Sequence, residues 1–444
     1  MIYALIIVTV INIIIAVKAF KTIVAPPVLF NLGFLLCFLG ASNFSEEWDL
    51  NSFHLNTFLS LTIGISLFTF TSLITREKLS SRKYSNSKDT IQIHIPNKVL
   101  ILYIIFLIGY NFVQFKVLQQ ITGFNDFTSV IVTVDYMKKF DETETFSLPL
   151  YIKIINKITL TLSFIIAYYG VKAILTPNIK ISTKILYITI FILSIGSPIL
   201  YGGRAGSIRI ILVILFMYYF LSNEKNNWKF RIPLKIAIII LGAGFCTIAL
   251  WSNISELLGR SSIDDKGYNA KYYAAIYCGA QVKNLDLYLN ENRNLYHSKT
   301  FGYATLSSIY AKYTSSKNPE NMKDILSFRE YNGYPLGNVY TCFYFYIYDF
   351  GYIGIFLISI FSYFITKVWN IIRYHNNKNK YMYLYIYAMF CYPLLFSFFS
   401  EFFFTTVLSF DFISRLILWM IEYRLIKKLF SVKVEKTHQK AQIV

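Results

Sequence analysis

Residues 252–337 read SNISELLGRSSIDDKGYNAKYYAAIYCGAQVKNLDLYLNENRNLYHSKTFGYATLSSIYAKYTSSKNPENMKDILSFREYNGYPLG. No apolar run in this stretch reaches the roughly 20 residues that a helix needs to cross a bilayer. It carries ten Lys/Arg, eight Asp/Glu and many tyrosines. On both sides of it the chain is dominated by apolar runs of membrane-spanning length. Over all 444 residues 55% are hydrophobic and 15% charged, against about 25% charged in soluble domains. The mean hydropathy is +0.48. The chain therefore reads as an all-α, polytopic integral membrane protein with one large polar insertion on one face.

Windows of membrane-spanning width predict about eleven helices. They fall near Met1–Val17, Pro27–Ser42, Phe53–Ile74, Val99–Leu118, Tyr151–Leu175, Lys184–Tyr201, Ser207–Leu221, Ile232–Trp251, Val339–Val368, Tyr381–Phe399 and Thr406–Ile426. Residues 1–251 thus hold helices one to eight, 252–338 the large external loop, 339–426 helices nine to eleven, and 427–444 a basic tail. Met1–Val17 lacks a basic leader and a small-residue cleavage site, so it reads as a retained span. The ninth run is too long for one straight span. Its first part, Val339–Tyr348, is expected to lie at the interface, with the span starting near Gly351.

The formal net charge of +19 comes mostly from loops on one side. These hold Lys18 and Lys21, Arg76 to Lys88, Lys172 and Lys180, Lys225 to Lys235, Arg373 to Lys380, and the tail from Lys427. The positive-inside rule places that side in the cytoplasm. The N-terminus and the insertion are then external and the C-terminus internal. The short loop Asn43–Ser52 on the other side has no Lys or Arg. Charge dispersed in this way controls topology and meets anionic head groups. It forms no separate basic domain, so nucleic-acid binding is not expected.

Cys37, Cys246 and Cys391 fall in apolar runs, where cysteine acts as a small hydrophobe. There is no CxxC pair and the five histidines are scattered, so neither a metal site nor a cofactor is expected. Cys278 and Cys342 lie in or near the insertion, which leaves a bridge between them as an alternative to two thiols.

ATP is absent outside the membrane, and no Walker-type glycine loop occurs. Chemistry on that face needs a donor that is already activated. The turn Tyr201-Gly202-Gly203-Arg204-Ala205-Gly206 joins two spans there. Its glycines admit a ligand close to the backbone, and the free N–H groups of the following helix suit a phosphate. Arg204 adds a forked donor, with Arg209 deeper on the same helix; anchoring to lipid head groups would also explain them. In the insertion, Arg260 and Arg329 (with Arg293) are further anion-binding candidates or solvated surface residues. Asp264-Asp265 is a weak metal motif. His297, the only histidine of the insertion, is the default general base.

The segments Asn269–Asn290 and Gly302–Thr314 read as short amphipathic helices rich in tyrosine, with Tyr272 a candidate for stacking on sugar. The string Pro335-Leu336-Gly337-Asn338-Val339-Tyr340-Thr341 precedes Tyr348-Asp349-Phe350-Gly351-Tyr352-Ile353-Gly354. Asn338 and Tyr340 are candidate substrate contacts. Asp349, an acid in apolar surroundings, is either a functional group or a structural carboxylate paired with an arginine. Glu401, between the last two spans, is another candidate base.

The Gly-Gly-Arg-Ala-Gly turn, the large loop before the last three spans, and the Gly-Asn-Val-Tyr-Thr and Tyr-Asp-Phe-Gly-Tyr-Ile-Gly strings together resemble Wzy-type O-antigen and capsule repeat-unit polymerases. The resemblance implies a multi-pass bacterial inner-membrane glycosyltransferase with a GT-C-like helical fold. It implies undecaprenyl-diphosphate-linked oligosaccharides as donor and acceptor, membrane lipid around the site and a chain-length regulator protein as partner. Family members rely on external arginines; Arg204 matches that role by position, with Arg260 and Arg329 as partners. The spaced Arg-then-Gly pattern of some members is not evident after Arg204 or Arg329. An O-antigen ligase shares the architecture and remains an alternative. A lipid-linked-oligosaccharide flippase would show internal repeats and short external loops, and no repeat relates the two halves. A non-enzymatic assembly scaffold would not need Arg204 in an apolar turn.

Overall fold

A computed structural model describes residues 1–77, 91–93, 95–140, 146–202, 205–226, 228, 270–291, 300–313, 325–375 and 380–433. The helices are α1 (Ile2–Phe20), α2 (Pro26–Ser42), α3 (Leu55–Thr75), α4 (Asn97–Thr122), α5 (Phe127–Phe140), α6 (Leu150–Leu175), α7 (Ile181–Gly196), α8 (Ala205–Lys225), α9 (Ala270–Cys278), α10 (Ala280–Glu291), α11 (Ser307–Tyr313), α12 (Cys342–Phe350), α13 (Leu357–Tyr374), α14 (Lys380–Phe396), α15 (Phe404–Val407) and α16 (Phe410–Phe430). Among the described residues four short strands form two antiparallel pairs: β1 (Ile91–Ile93) with β4 (Ser431–Lys433), and β2 (Arg329–Tyr331) with β3 (Tyr334–Gly337).

Among the described residues, seven helical stretches are long and apolar enough to cross a membrane: Ile2–Phe20, Leu55–Thr75, Asn97–Thr122, Leu150–Leu175, Ile181–Tyr201, Ala205–Lys225 and Cys342–Tyr374. The protein is a helical membrane protein. The 17-residue helices α2 and α14 and the more charged α16 pack among them. The expected helix Ile232–Trp251 lies outside the described residues.

Local chemistry sets the helix ends. Prolines occupy the first turn of α2, where a missing N–H costs nothing. Gly123 ends α4 in the left-handed conformation, its N–H bonded to the Gln119 carbonyl, as helix C-terminal glycines do. The Ser409 hydroxyl accepts from the Phe412 N–H at 3.1 Å and starts α16. Between α12 and α13 the chain tightens into a 3₁₀ turn, Gly351–Phe356. Gly351 has φ 63° and ψ −160°, a region essentially restricted to glycine.

Small residues bring the helices together, as is usual where lipid offers no hydrophobic drive. Gly33 of α2 meets the Leu395 backbone of α14, and Gly40 meets the Cys278 carbonyl. The Phe343 ring of α12 sits on Gly64 of α3. At one end of the bundle, the cap end, the 43–54 turn, α9, α10, the 300–306 turn and the β2–β3 hairpin pack on the spans. The hairpin turns at Asn332-Gly333, both at positive φ, the signature of a tight two-residue loop. Asn332 Nδ2 donates to the Glu47 carbonyl at 3.1 Å.

Within Val339–Tyr348, α12 is buried on nearly every side, because α3, the cap and the Ser397 region enclose it. The described part of the insertion packs into the body of the protein. Nine residues of α10 are buried, since Gly40 and Gly279 let α9 and α10 wedge onto the end of α2. Of the two readings left open for Cys278 and Cys342, the structure has two free thiols.

Replacing Gly33 by Leu forces α2 away from α14 and should cost about 1–3 kcal/mol. Gly109→Leu, with nothing within 4 Å of its added Cβ, should leave stability unchanged. Thermal unfolding of the two purified variants in detergent reads the difference.

Candidate active site

The turn before α8 is built by α5 and α6. Lys138 Nζ donates to the Tyr201 carbonyl at 2.7 Å and sits 4.7 Å from the centre of its ring. Asn156 donates to the Tyr201 hydroxyl. Gly202 has φ 69°, and a Cβ there would stand 2.7 Å from Asp135 Cβ. Both conditions require glycine. Gly203 and Arg204, which follow, lie outside the described residues.

One turn into α8, the Arg209 guanidinium stacks 4.7 Å from the centre of the Tyr392 ring of α14. It lies within electrostatic reach of Arg415 and Asp411 on α16. Asp411 is shared by two cations: Lys157 Nζ of α6 at 3.0 Å and an Arg415 terminal nitrogen at 2.5 Å. Lys157 also donates to the Ser414 hydroxyl at 2.9 Å. The buried Arg415 Nε has no hydrogen-bond partner. Three cations and one carboxylate leave this seam between α6, α8, α14 and α16 with a net charge of +2. Charges placed inside apolar helices are costly and mark functional sites. Such an excess of positive charge can pair with an anion.

The other expected site residues sit in the cap. Asp349 is fully buried, its carboxylate accepting from the Ala304 and Thr305 N–H groups at 3.1 and 2.6 Å. Glu401 is 3% exposed. It accepts from the N–H groups of Phe403 at 2.7 Å, Phe404 at 2.8 Å and Thr405 at 3.1 Å. Both carboxylates hold loops onto the spans. Arg329 pairs with Glu291 at 2.6 Å and donates to the Tyr340 hydroxyl at 2.8 Å. Tyr340 in turn donates to the Ser327 carbonyl at 2.9 Å. Tyr272 donates to the Pro335 carbonyl at 2.6 Å, its ring against Phe44 and Tyr334. Tyr272 and Tyr340 are buried, and hairpin and cap packing occupy their rings. Asn338 is half-buried beside β3. Arg260 and His297 lie outside the described residues.

The structure adds residues that the loop-by-loop reading passed over. Lys157, Asp411 and Arg415 stood inside predicted spans, where their charge was itself the available signal. Asp286 of α10 is the other addition. It is 1% exposed and accepts from the His54 N–H at 2.9 Å, His54 Nδ1 at 3.1 Å and the Thr57 hydroxyl at 2.8 Å, with Lys283 Nζ 3.4 Å away. No known protein family, characterised protein or solved structure matches the chain.

Burial pushes the Glu401 carboxyl above the usual carboxylate range, against the lowering effect of the three N–H donors. The folded state therefore binds its proton more tightly than the unfolded state does. Its contribution to stability is full below the unfolded pKa and declines as pH rises through the raised value. Glu401→Gln, which keeps an acceptor but no titration, should remain folded and flatten that decline between acid and neutral pH. Glu401→Ala leaves three N–H groups unpaired, at about 1–3 kcal/mol each, and should lower the melting temperature throughout. Melting curves across pH in detergent compare the three proteins.

Proposed function

We propose that the chain is a glycosyltransferase that polymerises undecaprenyl-diphosphate-linked oligosaccharide repeat units on the external face of a bacterial inner membrane. The observation that supports this most is the +2 seam of Lys157, Arg209, Arg415 and Asp411 beside the Gly202 turn. The Lys/Arg bias of the loops supports the external placing of the cap end and the cytoplasmic placing of the C-terminus. The resemblance of the Arg204 turn and of the Asn338–Gly354 strings to repeat-unit polymerases supports the same reading.

The chemistry follows from the charges. A hydroxyl oxygen of the acceptor's terminal sugar attacks the anomeric carbon at the reducing end of the growing chain. The bond from that carbon to the diphosphate oxygen breaks, and undecaprenyl diphosphate leaves with the electron pair. The hydroxyl proton passes to a base or to water. Negative charge grows on the diphosphate as the bond breaks, so preorganised guanidinium and ammonium groups there lower the barrier. Arg204 and Arg209 hold the diphosphate, Arg415 offers the free Nε, and Lys157 and Asp411 keep the fork oriented. His297 is the remaining candidate base; Asp349 and Glu401 are engaged by loop backbone.

Deleting the gene in its own host and separating the surface polysaccharide on a gel tests the reading. Loss of a polymerase leaves lipid A core bearing one repeat unit. Loss of a ligase leaves core with none, and an unchanged ladder contradicts both. In the complemented strain, Arg209→Gln and Arg415→Gln should each remove a charged hydrogen bond of about 1.5–3 kcal/mol, slowing polymer formation by roughly 10- to 100-fold. Arg204→Ala should abolish long chains, and Arg204→Lys should restore little, because a point charge does not reproduce the fork.

A further inference from the structure

Thr161 sits near the middle of α6, one of the helices long and apolar enough to cross a membrane. Its hydroxyl donates at 2.7 Å to Oε1 of Glu422 on α16. Glu422 is 8% exposed, and its other carboxyl oxygen, Oε2, is buried without a hydrogen-bond partner. At 1.5 Å rise per residue it lies roughly 10 Å further along α16 than Arg415, well away from the cation seam. An acid inside a helix bundle of this kind marks a functional group, and neither the seam nor the cap uses this one.

The groups around it offer no counter-charge among the described residues. Lys157, one turn before Thr161 on α6, is held by Asp411 and Ser414. Arg415 is held by Asp411 as well. Arg424 is exposed to the surroundings of the bundle. Tyr103 of α4 and Tyr385 of α14 lie within electrostatic reach of Glu422, but a phenol is uncharged at neutral pH. Tyr423, the next residue, stacks on Trp419 at 5.1 Å and bonds Tyr169. An ionised Glu422 would be a buried charge with one donor and no counter-ion, which is costly. A neutral carboxyl avoids that cost: one oxygen accepts from Thr161 and the other carries a proton.

We propose that Glu422 is a proton-binding site inside the helix bundle, occupied at neutral pH. A metal ion does not suit it, because one carboxylate and one hydroxyl supply too few oxygens to replace a water shell. With the proton bound, Glu422 adds nothing to the charge of α16, and the +2 excess of the seam is undiminished. Removing the proton puts a negative charge about two turns from Arg415 and weakens the attraction of that end for anions. The site stands whether or not the seam receives a diphosphate.

Infrared spectra of the full-length protein in lipid membranes, recorded from acid to alkaline pH, test this. A protonated carboxyl has a carbonyl stretch that a carboxylate lacks. Subtracting the spectrum of Glu422→Gln isolates Glu422 from the other buried acids, Asp286, Asp349 and Glu401. The difference should show the protonated band at neutral pH and lose it only in alkaline buffer. Glu422→Gln, a neutral side chain that still accepts from Thr161, should fold with an unchanged melting temperature. A difference spectrum without the protonated band at neutral pH overturns the proposal, as does failure of Glu422→Gln to fold. A band that sodium chloride abolishes and choline chloride leaves intact makes this a metal-ion site and overturns the proton as its occupant.

Discussion

A carboxylate removed from water must be surrounded by hydrogen-bond donors, and the cap of this protein is organised by meeting that demand three times. Asp286 ties α10 to the start of α3 through His54 and Thr57. Asp349 ties the 304–305 backbone to α12. Glu401 folds the chain back between α14 and α15 and reaches Tyr346 of α12 at 3.3 Å. Truncating a partner of a buried charge costs several kcal/mol because the charge remains unpaired. Each anchor therefore specifies one docking of the cap on the spans.

The anchors bear on chemistry through position. The Glu401 loop leads directly into α15 and α16, and α16 carries Asp411 and Arg415 into the seam. On the other side, α5 and α6 clamp Tyr201 and fix the start of α8, and so the depth of Arg209. The cation seam is thus set from two directions, by the cap and by the Gly202 turn.

Much of the bundle was legible in the sequence because lipid imposes a coarse signal: a span must be long, apolar and helical. Helices α1, α3, α4 and α6 fall where hydropathy places them, and the break at Gly351 was visible as two glycines beside an acid. The roles of polar residues were harder to read. Asp349 and Glu401 look alike in sequence whether they take a proton from a substrate or accept backbone N–H groups, and their partners, 44 or 45 and two to four residues away, form only on folding. The tyrosines of 269–314 have the spacing of an interfacial helix, yet Gly40 and Gly279 allow a backbone approach to α2, and Tyr272 and Tyr288 are buried. Lys157, Asp411 and Arg415 were hidden for the opposite reason: hydropathy averaging treats charges inside a span as noise. The seam becomes evident only when α6 and α16 are brought side by side.

The most direct measurement is a single-turnover reaction of the purified protein in lipid nanodiscs with undecaprenyl-diphosphate-linked repeat units, followed by mass spectrometry. One undecaprenyl diphosphate should be released for every glycosidic bond formed, and Arg415→Gln should slow both products together. Release of the lipid diphosphate without a longer glycan, or a longer glycan formed at the wild-type rate by Arg415→Gln, would contradict glycosyl transfer at the cation seam.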